Sequence, residues 1–173
     1  MSKKRGAIQS RDVIRIEFFE ICQEGEIDKY MRLRSNSDLT DEEMTALIDI
    51  DQRTGLHVVC MNGNYELFEE LFPIFCKYPN SLNKIDEKKD TAFNLVCSHG
   101  FSENLNFNNI ELGDVDQVRI YNSGMKNKER IIKRFVDNQH VNGGFDIRQC
   151  FRNNKTNPLH WCFFYGDLAG GKM

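Results

Sequence analysis

The chain predicts an all-α fold, a solenoid of stacked helix-turn-helix units joined by hairpin-like loops, and three observations carry that expectation. First, three fragments share one register: Thr54-Gly55-Leu56-His57-Val58-Val59-Cys60-Met61-Asn62-Gly63, Thr91-Ala92-Phe93-Asn94-Leu95-Val96-Cys97-Ser98-His99-Gly100 and Asn157-Pro158-Leu159-His160-Trp161-Cys162-Phe163-Phe164-Tyr165-Gly166. Each opens with Thr or Asn and closes with Gly nine residues later, and a fainter copy runs from Ile16 to Gly25. Second, the glycines at 25 and 63 are followed by short stretches with apolar residues at helical spacing. Third, the glycines recur at related intervals: 38 residues from Gly25 to Gly63, 37 to Gly100 and 66 to Gly166. Repetition at such periods marks architectures in which one unit cannot bury its apolar face alone and neighbours must stack.

The elements follow in order. Residues 1–12 are polar and basic and make a loose leader; the repeat domain spans 13–173. The unit near 13–50 opens with Ile14, Phe18, Ile21 and Cys22 on one helical stripe, breaks at Gly25, and continues with Ile27, Tyr30, Met31 and Leu33. Thr40 and Glu43 fit a capping box that starts a further short helix with Met44, Leu47 and Ile48 on its inner side. The unit near 51–87 places Leu67, Phe68, Leu71 and Phe72 on one stripe, and Pro73, which lacks an amide donor, is expected to hasten the helix end. The unit near 88–150 is irregular. Its second helix is expected late, over Lys126 to Val136, with the Asn-rich, acidic 101–125 as an insertion, because closure entropy grows only logarithmically with loop length. The last unit, 151–173, begins well at Asn157-Pro158-Leu159-His160 and stops without a second helix, so a longer protein or a covering partner is expected at that end.

Bulk properties exclude several classes. A chain of 173 residues, 40% hydrophobic and 28% charged, suits one soluble domain. A formal net charge of −3 exerts no general pull on nucleic acid, and no apolar run reaches the roughly 20 residues of a membrane span. The basic N-terminus has no apolar stretch behind it, so it is not a secretory signal. Six cysteines without an export signal point to reduced thiols and a cytoplasmic or nuclear location. None forms a C-x-x-C pair; Cys22, Cys60 and Cys97 each fall three residues before a repeat glycine and Cys162 four before, and buried free cysteine serves as a small apolar filler.

Motifs with chemical promise have plainer readings. The tail Gly166-Asp167-Leu168-Ala169-Gly170-Gly171-Lys172-Met173 fits G-x-x-x-x-G-K, but Met173 stands where Ser or Thr would hold Mg²⁺, and no residues follow to form the required helix. No G-x-S-x-G elbow or other nucleophile context appears. The acidic run Asp38, Asp41, Glu42, Glu43 suits a helix N-terminus. The five basic residues Lys126, Lys128, Arg130, Lys133 and Arg134 are expected to form a solvated face opposite Ile131 and Phe135. No catalytic, cofactor-binding or metal-binding residue is assigned.

The fragments T-G-L-H…G-N-Y-E-L-F and N-P-L-H-W-C…G-D resemble the ankyrin repeat, whose signature T-P-L-H-x-A opens a helix pair. The resemblance covers about residues 13–173, with Gly55 and Ala92 where the family usually has Pro. It implies that His57 and His160 order their turns by hydrogen bonding. It also implies a protein-interaction scaffold, not an enzyme, that binds another protein or peptide through hairpin tips and the concave face of the first helices. Carried over by register, the tips are Asp51, Gln52 and Arg53, then Glu87, Lys88 and Lys89, then Asn153, Asn154 and Lys155. The first-helix positions before each glycine are Gln23 and Glu24, Met61 and Asn62, Ser98 and His99, and Phe164 and Tyr165. The alternatives are a regulatory segment of a larger channel or enzyme, and nucleotide binding by the glycine-rich tail.

Overall fold

The computed structural model describes residues 10–78, 80–98, 115–138 and 145–146, with the backbone alone for 115–125. The described residues are mostly helical, and their one β feature is an isolated antiparallel bridge between Ile85 and Thr91. The helices are α1 (Arg11–Glu24), α2 (Ile27–Asn36), α3 (Asp41–Ala46), α4 (Gly55–Asn62), α5 (Tyr65–Lys77), α6 (Ala92–Ser98) and α7 (Val115–Asn138), with a short 3-10 turn at Ser81–Asn83. Helix α1 starts at Arg11, and Ser10 caps it by accepting from the Val13 amide at 3.4 Å.

Helices α1, α4 and α6 pack side by side in one row, and α2, α5 and α7 pack behind them in a second. Gly25 and Gly63 close α1 and α4 in the same left-handed conformation, at φ 76° and 67°. A Cβ at Gly25 would also meet the Asn64 side chain at 2.7 Å. That side chain is there for a reason: its Nδ2 donates to the carbonyl of Cys22 at 3.0 Å, satisfying an acceptor left over at the end of α1. Lys128 Nζ of α7 likewise donates to the carbonyl of Cys97, at 3.4 Å. The core behind these helices is built from apolar stripes, ending in a cluster of Phe68, Phe72, Phe93, Phe135 and Phe145 with ring centroids 4.7–5.7 Å apart.

The two loops that lead into α4 and α6 repeat one set of hydrogen bonds at an offset of 37 residues. Asp49 N–H donates to Arg53 C=O at 3.0 Å, and Asp86 N–H to Asp90 C=O at 2.9 Å. Arg53 N–H donates to Asp49 Oδ1 at 2.9 Å, and Asp90 N–H to Asp86 Oδ1 at 2.8 Å. Gln52 and Lys89 occupy the matching left-handed positions, at φ 61° and 71°. The loops also touch, through a bond of 2.9 Å from the Glu87 amide to the Asp51 carbonyl.

Three sequence expectations are corrected. Pro73 does not end its helix; α5 runs on to Lys77, because Ile74 and Phe75 beyond it are buried and hold the last turn in place. The insertion expected over 101–125 is helical from Val115 onward, so α7 begins well before Lys126 and spans Gly124. Composition misled there: a glycine inside a helix costs only about 1 kcal/mol and does not forbid it. The basic run on α7 is not simply a solvated face. Lys128 is 2% exposed, Arg130 lies over the Tyr65 ring at 3.6 Å, and Arg134 pairs with Glu69 at 3.0 Å.

Candidate partner-binding groove

Positioning of the site starts at His57. The Thr54 amide (3.2 Å) and hydroxyl (2.8 Å) both reach its Nδ1, so that nitrogen is the acceptor and the ring proton sits on Nε2. Nε2–H then donates to the Asp90 carbonyl of the next loop at 3.2 Å. Burial holds this imidazole below its ordinary pKa, against the opposing field of Asp86. His57 therefore orders its own turn and also ties it to the neighbouring one. Asn94, at the matching place in α6, donates its Nδ2 to Asp90 Oδ1 at 3.2 Å.

The first loop is rigid by ion pairing. Arg53 Nε meets Asp49 Oδ2 at 2.8 Å, its Nη2 meets Asp51 Oδ2 at 2.8 Å, and its Nη1 approaches Met61 Sδ at 3.7 Å. Asp49 Oδ1 also accepts from the Asp51 amide at 2.9 Å. These bonds leave Ile50 projecting at 90% exposure from the loop.

Between that loop and α1 lies an open groove of about 590 Å³. Ile16, Phe19 and Ile50 give it an apolar surface, Val58 of α4 closes it from below, and Arg15, Glu20, Gln23, Glu24, Asp49 and Arg53 supply its polar lining. Ile16 is 55% exposed, and Phe19 is half-buried against the ring of Phe18 at 5.4 Å. The groove thus sets exposed apolar side chains among six polar or charged ones.

Several expected residues come together here. Arg53 lines the groove with Gln23 and Glu24; Asp51, which pairs with Arg53, and the exposed Gln52 belong to the same loop but are not in the lining. Met61 and Asn62 lie on the last turn of α4, where Asn62 Oδ1 accepts from Gln23 Nε2 at 3.4 Å. Glu87, Lys88 and Lys89 form the exposed second tip, joined to the first through Asp51. Ser98 is half-buried at the end of α6. His99, Gly100, Asn153, Asn154, Lys155, Phe164, Tyr165, the unit 151–173 and the glycine-rich tail lie outside the described residues. Sequence reasoning passed over Arg15, Ile16, Phe19, Glu20 and Ile50. The available signals were Ile16 and Phe19, three apart and off the buried stripe of α1, and an isoleucine flanked by two aspartates in a turn.

Cys22, Cys60 and Cys97 are buried in the packed interior, and burial pushes the Cys22 and Cys60 thiols well above their usual range, so they stay protonated. Among the described residues no group of three or more His, Cys, Asp or Glu side chains is placed to hold a metal ion. No helix among them is long and apolar enough to cross a membrane. No family model matches the chain, and no curated protein matches it.

Proposed function

We propose that the chain is a divergent ankyrin-repeat scaffold, without catalytic activity, that binds another protein or peptide in the groove between α1 and the Asp49–Arg53 loop. The observation that carries this reading is the placement of Ile50 and Ile16, two large apolar side chains held in water on a rigid frame beside a cleft. Exposing such residues serves no folding purpose, whereas an occupant that covers them gains about 25 cal/mol per Å² of apolar surface. The ankyrin reading is supported by the 37-residue equivalence of the two loops, the Thr54–His57 pairing and the row of first helices. The free cysteines among the described residues fit a reducing compartment, cytoplasmic or nuclear.

The experiment compares affinity capture by the unaltered chain, Ile50→Asp and Leu56→Asp. Ile50→Asp changes a solvated side chain and is expected to keep the melting transition while losing the partner. Leu56 is 1% exposed, so Leu56→Asp places a charge in the core and is expected to unfold the protein. Retention of the partner by folded Ile50→Asp contradicts the proposal. Arg53→Glu is a poor probe of binding alone, because it would set a third carboxylate beside Asp49 and Asp51 and loosen the loop.

A further inference from the structure

We infer that the groove takes a peptide segment that combines apolar and basic side chains; the inference rests on the binding reading above and specifies its ligand. The apolar half follows from Ile16, Phe19 and Ile50. The basic half follows from which charges in the lining are already matched. Arg53 is held between Asp49 and Asp51 at 2.8 Å each, and Arg15 faces Asp12 at 3.8 Å. Glu24 accepts from Lys29 at 2.8 Å. Glu20 stands one helical turn beyond Ile16 on the same face of α1 and makes no ion pair among the described residues.

An occupant that covers Ile16 and Ile50 strips water from Glu20 as well. Desolvating a carboxylate is costly unless a partner meets it, and a neutral peptide supplies none. An acidic peptide adds like-charge repulsion. A Lys or Arg set near the apolar anchors instead forms a charge-assisted hydrogen bond with Glu20, and Arg can do so in bidentate geometry. The groove thus selects by pairing Glu20, the carboxylate of its lining that has no ion pair among the described residues.

The test is to pan a displayed library of short random peptides on the full chain and then measure the enriched peptides by fluorescence anisotropy. The titrations use the unaltered chain, Ile50→Asp and Glu20→Lys, each checked by its melting transition, at low and high salt. The expected peptides carry Leu, Ile or Phe together with Lys or Arg. Ile50→Asp and Glu20→Lys should each weaken them roughly tenfold or more, and Glu20→Lys should flatten the salt dependence. Enriched peptides that are acidic or neutral yet still need Ile50 overturn the charge assignment and leave the groove standing. Peptides indifferent to Ile50→Asp, or a library that yields none, overturn both. A dimer seen by sedimentation and abolished by Ile50→Asp would give the groove to a second copy of the chain and likewise overturn the inference.

Discussion

Gly55 and His57 show how single residues set the approach of neighbouring helices. A Cβ at Gly55 would fall 2.5 Å from the Phe18 ring and 3.2 Å from Cys22 Sγ, so α4 lies against α1 only because that side chain is absent. Gly55→Ala is therefore expected to destabilise the protein by about 1–3 kcal/mol, read by urea unfolding, although alanine is the better helix former. His57 has a pH consequence. Its folded pKa lies below the ordinary 6.5, so the unfolded chain binds the proton more tightly. Its contribution to stability is complete above about pH 6.5 and is lost as the pH falls toward the folded pKa, with a slope of at most about 1.4 kcal/mol per pH unit. Urea midpoints should fall between about pH 7 and pH 5.5, and His57→Gln should flatten that fall. An unchanged slope in the variant would remove His57 from this role.

At the scale of elements, helix starts and stops were legible where a residue's chemistry acts locally. Thr40 and Glu43 form the reciprocal bonds that their spacing indicated, at 2.9 and 3.2 Å, and Gly25 and Gly63 end their helices. Elements held by distant contacts were misread. Pro73 sits inside α5 because Ile74 and Phe75 are anchored in the core, a tertiary fact that no local pattern reports. Pro73 is itself exposed, so Pro73→Ala restores a backbone donor without disturbing packing. It should raise stability by about 1–3 kcal/mol in the same unfolding assay, and a loss would show that α5 depends on the proline's bend. The groove was half legible for a related reason. Register had singled out Arg53, which lines the groove, whereas Met61 and Asn62 are not in its lining, and Ile16 and Ile50 stood out only when the fold brought α1 against the first loop.

Over the whole molecule, the described helices are held together by bonds between neighbouring elements. The first loop is joined to the second by the Glu87–Asp51 backbone bond and by His57 on Asp90; α1 is joined to the next unit through Asn64. The Glu87 bond ties successive loops, and the His57 and Asn64 bonds each cross from one expected unit to its neighbour. Gly25 and Gly63 made two helix ends readable from sequence, whereas the aspartates at 49 and 86, which set up the loops, were overlooked because nothing about an isolated aspartate distinguishes it from solvated surface. The most direct measurement of the stacking is amide hydrogen exchange at Glu87. Its side chain is exposed at a loop tip, so only the bond to Asp51 can shield its N–H. Stacked units predict exchange well below the unfolded-chain rate at Glu87, in step with Arg53 and Asp90; exchange at the free-chain rate would contradict the stack.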